Sequence, residues 1–336
     1  MFFFFFLYVC VNGEFDYTEY GESAEYSNYL NQATAIRQEV FTTRNYDRYL
    51  VPIFGQIPSN YTMSQTERLN VHFMLYYCKL FNLDAESQIF SAEVELKTTW
   101  RDPRLVWNPS RFGGVAVIYI SPDLLWIPDA QIGNAKVLDP VNGNTMPVAQ
   151  LHSNGMVFMT TVFYVETSCQ INANKFPFDK QNCTLSILSL GLDQKYISLG
   201  VEVDRGPKTL GGNGEWVIVD AIPMRYESVS LSANLEVTGF FILINRVPNF
   251  YVYVIALPCF ILTMLSIVGM FWSPNIKKEQ LTKLSIGLTS LVSMTVLLDM
   301  LARAIPKTQV FPLLAQVSLG QFGTNLAPNG SFCPSW

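Results

Sequence analysis

The stretch CQINANKFPFDKQNC, from Cys169 to Cys183, is the most distinctive local feature of the sequence. It places two cysteines around a short polar loop with Phe176-Pro177-Phe178-Asp179 at its centre. Among the six cysteines of the chain, only these two are spaced as a local pair. A disulfide that closes a loop of this size contributes roughly 3 kcal/mol to stability. We therefore predict a bonded loop in a protein made in an oxidising compartment.

The composition is poorer in charged residues than that of an ordinary soluble domain. The chain has 336 residues, of which 49% are hydrophobic and 15% charged, whereas soluble domains carry about 25% charged residues. A net charge of −5 and the lack of a basic stripe argue against a nucleic-acid partner. His72 and His152, the only histidines, belong to no nucleophile–base or metal-ligand pattern. We predict no enzymatic activity, no metal site and no cofactor.

Two further features fit a secreted N-terminal region. The apolar block MFFFFFLYVCV opens the chain and predicts a signal peptide over residues 1–13, with a mis-assigned start codon as the alternative. Asn60-Tyr61-Thr62 and Asn182-Cys183-Thr184 are N-glycosylation sequons. We therefore expect glycosylation at Asn60 and Asn182.

Residues 69–247 contain short runs rich in Val, Ile, Phe, Tyr and Thr, separated by turn residues. Several runs alternate apolar and polar residues, which is typical of strands with one buried face. We predict an antiparallel β sandwich within an extracellular domain over residues 14–248. The predicted strands are VHFMLYYCKLFNL, SQIFSAEVELKTTW, GMVFMTTVFYVETSC, CTLSILSL, GEWVIVDAIPMRY and LEVTGFFILINR.

An uncharged apolar stretch follows the predicted sandwich. Residues 250–272, FYVYVIALPCFILTMLSIVGMFW, are long enough to cross a bilayer, and Pro258 is tolerated in such a helix. The following loop, residues 273–283, contains Lys277, Lys278 and Lys283, and positive charge favours the cytoplasmic side. We predict a first transmembrane helix that runs from outside to inside.

A second apolar segment, residues 284–305, carries charged residues and a regular stripe. Spacings of three and four residues place hydroxyl groups, then aliphatic groups, then charges on one helix face. Hydroxyl groups followed by a hydrophobic constriction suit a gated pore, and charges inside a span usually face a cavity. A membrane helix packed on its neighbours is the alternative. The stripe consists of Ser285, Thr289, Val292, Val296, Asp299 and Arg303.

These features together resemble one family, the Cys-loop receptors, which are pentameric ligand-gated ion channels. The loop around Phe-Pro-Phe-Asp is similar to the signature loop of that family, and WRDPRLVW and WIPD resemble two of its other motifs. NRVPNFYVYVIALPC resembles the passage into the first membrane helix, and KLSIGLTSLVSMTVLL resembles the pore-lining helix. The resemblance covers about residues 30–307.

The resemblance implies partners and a location. It implies a pentamer built with four other identical or related subunits, a small extracellular ligand bound between sandwiches, and permeant inorganic ions. It implies insertion in the lipid bilayer of the plasma membrane, including the postsynaptic membrane. The fold class expected is a mainly β extracellular sandwich followed by α-helical transmembrane segments, two of the four that the family has.

The resemblance also implies a coupling surface at the base of the sandwich. The Phe-Pro-Phe tip would press on the membrane domain, Asp179 would meet basic groups there, and Pro306-Lys307 would receive the tip. Arg246 resembles the coupling arginine of the family, with Asp84 or Glu86 as its expected partner. The coupling residues are Phe176, Pro177, Phe178, Asp179, Arg246, Asp84 and Glu86.

The ligand site of the family carries over poorly. Glu95, Gly133 and Leu190 stand where amine-binding subunits have aromatic residues, whose ring faces attract ammonium groups. Tyr226-Glu227 matches the first tyrosine of the capping loop and its neighbour, Leu235 replaces the second tyrosine, and the adjacent cysteine pair is absent. We expect either a different ligand or a subunit that contributes only the complementary face.

Ion selectivity and the C-terminal region stay open. Thr282 and Lys283 match neither the glutamate of cation-selective members nor the Pro-Ala-Arg of anion-selective members. Residues 306–336 contain no apolar run of the length expected for a third or fourth helix, so a fragment, a mis-spliced gene model and a short isoform are alternatives. We predict a ligand-gated channel subunit. The alternatives are a truncated, non-conducting regulatory subunit and a membrane-tethered ligand-binding module.

Overall fold

A computed structural model describes residues 23–53, 68–141, 147–206, 210–229, 234–271 and 280–304. The chain divides into two compact units. One comprises residues 1–56, 100–127 and 148–159, and the other comprises residues 57–99, 128–147 and 160–336. The predicted signal peptide, the sequon at Asn60, residues 273–279 of the predicted loop and the segment 306–336 lie outside the described residues.

The first unit begins with a helix that the sequence pattern does not predict. Helix α1, Ala24–Arg37, begins after Ser23, whose side-chain oxygen accepts a hydrogen bond from the backbone N–H of Tyr26 at 3.2 Å. Such a cap satisfies one of the free donors at a helix start. A π-helical turn, Gln38–Thr43, continues the helix. Only Ile36 and Val40 are buried along the two segments. Because so few positions face the core, the sequence has no apolar repeat that would indicate a helix.

The remainder of the first unit consists of short elements. Three 3-10 turns, Pro103–Leu105, Pro109–Arg111 and Pro122–Leu124, each begin with proline after a capping Asp, Asn or Ser. Proline suits this position because its missing N–H would lack a partner there. Strands β3 (Val117–Ile120) and β6 (Ala149–His152) pair antiparallel, and β6 also pairs with the beginning of β7 (Met156–Ser168).

The second unit contains two sheets. In one, β1 (Leu69–Asp84) pairs in parallel with β9 (Ile197–Val203) and β10 (Leu210–Gly211), and β5 (Ala135–Pro140) pairs with β7. Strand β2 (Ile89–Arg101) is the other neighbour of β1. Val71, Phe73 and Leu75 are buried along β1, and the residues between them are more exposed. This alternation is the period of a half-buried strand.

The other sheet consists, in spatial order, of β11 (Trp216–Val229), β12 (Asn234–Arg246), β8 (Lys180–Leu188) and β4 (Gln131–Ile132). Gly239 has φ +153°, and a Cβ atom there would overlap the carbonyl oxygen of Leu185 on β8. Glycine is therefore required where β12 passes β8. All six strands predicted from the sequence are present.

Two helices follow the sandwich. A π-helical turn, Tyr251–Ala256, leads into α2, Leu257–Phe271, and α3 extends over Gln280–Ala304. Among the described residues, one helix is long and apolar enough to cross a membrane, the 19 residues Tyr251–Gly269. The apolar part of α3, Lys283–Leu297, is shorter, so its crossing of the membrane stays a prediction. The predicted class, a mainly β sandwich followed by helices, is confirmed.

Candidate functional site

The loop from Cys169 to Cys183 is closed by a disulfide, as predicted. Cys169, after the end of β7, is bonded to Cys183 on β8, with their Cα atoms 5.0 Å apart. Both cysteines are buried, and the backbone N–H of Cys169 donates to the carbonyl of Gln88 at 2.9 Å. Within the loop, the N–H of Phe178 donates to the carbonyl of Lys175 at 2.7 Å, which forms the turn at the tip. The disulfide thus fixes the base of a loop whose tip is a tight turn.

The two phenylalanines of the tip have different environments. Phe176 is fully buried, and its ring meets the edge of Tyr251 with the ring centroids 4.7 Å apart. Tyr251 is the first residue of the segment Tyr251–Gly269, which is long enough to cross a membrane and is called the membrane-length helix below. Phe178 is 56% exposed. The tip therefore contacts the start of the helix through Phe176, in a cluster that also contains Ala173, Ile255, Cys259 and Met294.

A buried arginine at the end of β12 joins the loop to the sheet. The Nε atom of Arg246 donates to Oδ1 of Asp179 at 2.8 Å, and Nη2 donates to Oδ2 at 3.4 Å. The side chains are 4% and 1% exposed. The carboxylate of Asp179 also accepts from Gln181 Nε2 at 2.6 Å. Arg246 and Asp179 therefore form a two-point ion pair with no access to water, the geometry in which a guanidinium binds a carboxylate most strongly.

Three more side chains contact this arginine, in addition to the ring of Phe176, whose centroid lies 4.9 Å from the guanidinium carbon. Its Nη1 atom donates to Glu215, and the hydroxyl of Tyr251 donates to the same carboxylate oxygen at 3.1 Å. The guanidinium carbon lies 3.9 Å from the centroid of the Trp216 ring, within the range of a cation–π contact. Arg246 thus links the disulfide loop, the start of β11 and the first turn of the membrane-length helix.

The expected partners of Arg246 are corrected by this geometry. Asp84 does not pair with Arg246 but closes its own turn, because its carboxylate accepts from the hydroxyl and the N–H of Ser87 and from the N–H of Glu86. These hydrogen bonds, led by that of the Ser87 hydroxyl, hold the pKa of Asp84 below its usual value. Asp179 binds Arg246, which precedes the helix, and the expected receiving segment Pro306-Lys307 lies outside the described residues.

Glu215, Trp216 and Tyr251 are site residues that the sequence analysis missed. The antiparallel register of β11 and β12 places Trp216 opposite Arg246. Counting outward from Val229 and Asn234 would not have given this pairing, because a bulge between Ile218 and Asp220 shifts the register by one residue. No spacing in the sequence indicates that the side chain of Tyr251 contacts the guanidinium of Arg246.

Three of the predicted ligand-site positions lie within two residues of one level of the β11-β12-β8-β4 sheet. Leu188 pairs with Gln131 on β4 and with Val237 on β12, and Val237 pairs with Tyr226 on β11. Because β4 and β8 are antiparallel, Gly133 and Leu190 lie on opposite sides of this level, each two residues away from it. The N–H of Gly133 donates to the carbonyl of Ser186 at 2.7 Å.

These positions form no aromatic enclosure. Leu190 is 64% exposed and Tyr226 is 48% exposed, while a side chain added at Gly133 would collide with Leu188. Glu95 is half-buried on β2, in the other sheet. The backbones of Glu227 and Leu235 belong to the β11–β12 hairpin, and their side chains lie outside the described set.

The motif WIPD contributes its aspartate to this region of the sheet. Asp129 accepts hydrogen bonds from the hydroxyl of Ser189 at 2.6 Å and from the N–H of Gly191 at 2.7 Å. The loop that carries Leu190 is therefore held against the segment that leads into β4. Asp129 positions this loop and does not itself enclose a ligand.

The motif WRDPRLVW builds a buried cluster in the first unit. Asp102 is fully buried and accepts from Arg104 Nη2 at 2.7 Å and from the hydroxyl of Tyr46 at 3.0 Å. The hydroxyl oxygen of Tyr46 accepts from the N–H of Trp126 at 3.0 Å. Burial of the phenol raises the pKa of Tyr46 to about 12. The cluster holds the motif segment in place and is a structural element.

The predicted stripe on α3 shares one open face. Ser285, Thr289, Val292, Val296 and Asp299 are all exposed, whereas Met294 and Ser290 are buried on the side that packs against α2. The hydroxyl of Thr289 donates to the carbonyl of Ser285 at 2.8 Å. Lys283 is half-buried, and the side chains of Thr282 and Arg303 lie outside the described set. The described residues of the stripe therefore share one exposed face of α3. That this face lines a pore stays a prediction.

The structure is thus a β sandwich that a bonded loop and a buried arginine connect to a helix long and apolar enough to cross a membrane. Residues 37–246 match the model of the family described as neurotransmitter-gated ion-channel ligand binding domain. The chain belongs to this family, and the resemblance to the Cys-loop receptors is confirmed.

Known relatives agree with this assignment. The chain is 30% identical over 262 residues to the neuronal acetylcholine receptor subunit beta-3 of Rattus norvegicus, covering 76% of this chain and 55% of that protein. It is 32% identical over 254 residues to the neuronal acetylcholine receptor subunit alpha-2 of Gallus gallus, covering 74% and 47%. It is 28% identical over 316 residues to the acetylcholine receptor subunit delta of Gallus gallus, covering 86% and 58%. The chain thus spans about half the length of these relatives.

Proposed function

We propose that this chain is a subunit of a plasma-membrane ion channel gated by an extracellular ligand. A small ligand binds between the sandwiches of neighbouring subunits, and the change is transmitted to helices that surround an ion path. Other receptor subunits, identical or related, are the partners. Family membership supports this function, and the relatives carry names of acetylcholine receptor subunits.

One observation carries the proposal: the buried Arg246 ties the disulfide loop and the first turn of the membrane-length helix to the end of β12. The guanidinium contacts Asp179, Glu215 and Tyr251 at once. Because β12 is hydrogen-bonded to β11 and β8 over most of its length, a displacement of the sheet cannot leave the start of the helix unaffected. Such a rigid connection is what a ligand-driven switch requires.

The open face of α3 is the part of the chain proposed to line the ion path. It presents hydroxyls at Ser285 and Thr289, then the aliphatic Val292 and Val296, and Asp299 further along. A hydrophobic girdle at the level of the valines would close the path by excluding water.

The ligand-site positions favour a supporting role at the agonist site. Leu190 and Gly133 offer no ring faces to a cation, and only Tyr226 keeps an aromatic side chain. We therefore propose that this subunit contributes the complementary face of an intersubunit site or binds a ligand other than an amine. A regulatory subunit that alters full-length partners without forming its own agonist site is the second candidate.

The test is co-expression with a full-length acetylcholine receptor subunit, with acetylcholine as the probe and single-channel conductance as the readout. A subunit that lines the path changes the conductance, and Arg246→Gln, if present at the surface, abolishes the agonist-evoked component that this subunit adds. Arg205→Gln is the matched control, because Arg205 forms an exposed pair with Asp220.

Each result separates the candidates. A changed conductance supports the channel subunit. Reduced current at unchanged conductance supports the regulatory subunit and contradicts a contribution to the pore. Surface expression without any effect on a panel of partners contradicts both and leaves a tethered binding module.

A further inference from the structure

An ion pair next to Tyr226 links the two sheets of the second unit. The Nη2 atom of Arg225 on β11 lies 2.5 Å from Oε1 of Glu236 on β12. The same nitrogen donates a long hydrogen bond to the hydroxyl oxygen of Ser198 on β9, at 3.4 Å. Because β9 pairs with β1 in the other sheet, the guanidinium connects the β11–β12 hairpin to the opposite side of the sandwich.

The strand register explains why these two side chains meet. Arg225 lies opposite Thr238, and Glu236 is two residues before Thr238 on β12. Such diagonal neighbours share one face of an antiparallel pair and are within reach of long side chains. On that face the hydroxyl of Thr238 donates to the carbonyl of Met224 at 2.9 Å, and Thr238 and Glu236 are both buried. The acid of the pair therefore lies inside the sandwich.

The two ends of the pair differ in their access to water. The side chain of Glu236 is 1% exposed, whereas that of Arg225 is 47% exposed. In the Asp179–Arg246 pair, by contrast, both side chains are shielded from water. A buried carboxylate is costly when its counter-charge is removed, but a half-exposed guanidinium can swing into water. The pair therefore favours one position of the hairpin and can still be released by a movement of Arg225 alone.

We propose that the Arg225–Glu236 pair is a latch that holds the β11–β12 hairpin against β9, and that its making and breaking changes how readily the channel opens. β12 carries Glu236 near its beginning and Arg246 at its end, and it is hydrogen-bonded to β8 over most of its length. A shift of the hairpin therefore reaches the coupling arginine through one continuous strand. Arg225 and Glu236 are positioning residues, because they act through β12 rather than by contact with a ligand. The effect on opening rests on the proposed function, whereas the latch itself does not.

The first test measures the hairpin without any agonist, by hydrogen–deuterium exchange of the solubilised chain. We expect the backbone amides of residues 222–229 and 234–240 to exchange about tenfold faster in Glu236→Gln and in Arg225→Gln, because opening of the hairpin no longer separates a buried ion pair. Arg225→Lys should stay within about twofold of the wild type, since an ammonium group can make the same single-point contact.

Two controls accompany these variants. Asp220→Asn removes the acid of an exposed pair on the same strand, β11, and should leave the exchange unchanged. An intact Cys169–Cys183 bond in each variant shows that the sandwich has folded. If Glu236→Gln does not fold, the comparison of Arg225→Gln with Arg225→Lys decides.

The second test measures acetylcholine-evoked current when the chain is co-expressed with a full-length acetylcholine receptor subunit. A latch made in only one of two states shifts their equilibrium when it is removed, so we expect Glu236→Gln to change the half-maximal acetylcholine concentration about fivefold or more. The sign of the change reports which state contains the latch. Arg225→Lys should keep the wild-type value. A merely structural loss would instead lower surface expression and leave the half-maximal concentration unchanged.

The results separate the latch from the proposed function. Exchange in Glu236→Gln and Arg225→Gln that equals the wild type, or that rises as much in Asp220→Asn, overturns the latch. Faster exchange with an unchanged half-maximal acetylcholine concentration overturns its role in opening. A chain that reaches the surface but changes no current contradicts the proposed function first, and the exchange measurement still decides whether the latch exists.

Discussion

Asp179 and Arg246 are 67 residues apart in the chain, and their side chains meet as a two-point ion pair that is shielded from water. Arg246 is the last residue of β12 and Asp179 immediately precedes β8. The carbonyl of Asp179 also accepts from the backbone N–H of Arg246 at 3.2 Å. The pair therefore extends the β8–β12 ladder into the segment that enters the membrane-length helix.

Removing the acid of this pair should be costly. Asp179→Ala leaves the Arg246 charge buried without its main counter-charge, and we expect the free energy of unfolding to fall by about 3–5 kcal/mol. Denaturant titration of the solubilised chain, followed by tryptophan fluorescence, measures this value, since Trp216 lies under the guanidinium.

The control for this variant is Asp220→Ala, which removes the acid of the exposed pair with Arg205. Exposed pairs contribute about 1 kcal/mol or less. Similar losses for the two variants would mean that the burial of the Asp179–Arg246 pair has no energetic weight.

The disulfide should stabilise the sandwich by limiting the unfolded chain. Cys169 and Cys183 are 14 residues apart, and replacing both with Ser should lower the free energy of unfolding by about 3 kcal/mol. Adding a reductant to the wild-type chain should produce the same loss, and it should leave the double variant unchanged. A reductant that destabilises the variant as well would point to an effect outside this bond.

The strands and the bonded loop could be predicted from the sequence because they depend on local information. Alternation of apolar residues indicates strands such as β1 and β12, and the close spacing of Cys169 and Cys183 makes them a pair. The partners of Arg246 depend instead on three segments meeting in space. Asp84 or Glu86 was the expected partner of Arg246, yet the carboxylate of Asp84 accepts hydrogen bonds from Ser87 in its own turn. No sequence pattern indicated Glu215 or Tyr251 as partners before the strand register was known.

The ligand-site positions show the same division. Their places along the chain followed from the motifs, and the register of β4, β8, β12 and β11 brings Gly133, Leu190 and Tyr226 within two residues of one level of the sheet. The filling of the space at Gly133 by Leu188 could not be foreseen, because it depends on packing between strands that are distant in sequence.

The raised pKa of Tyr46 makes a prediction at high pH. Burial raises this pKa to about 12 from the ordinary value of 10.0, so the folded state keeps the phenol proton more firmly than the unfolded state does. The resulting stabilisation is fully present below pH 10 and is lost as the pH rises through about 12. We expect the free energy of unfolding to fall more steeply across this window in the wild type than in Tyr46→Phe.

Ultraviolet absorbance of the ionised phenol gives a direct measurement. The difference between the titration curves of the wild type and Tyr46→Phe should show one tyrosine that ionises near pH 12. Tyr49→Phe is the control, because Tyr49 is 79% exposed. A difference curve centred near pH 10 would contradict the burial of Tyr46.

Access of water-borne reagents to α3 tests its open face. Single cysteine variants at Ser285, Thr289 and Val292 should react with a charged methanethiosulfonate reagent in an assembled channel, because these positions lie on the exposed side of the helix. Met294→Cys should stay unreactive, since Met294 is fully buried with Ile255 and Cys259 of the preceding helix. Reaction is measured as an irreversible change in agonist-evoked current, with labelling of the denatured protein showing that every cysteine is free. Reaction at Met294→Cys together with protection at Thr289→Cys would place the opposite face of α3 along the ion path and refute the proposed lining.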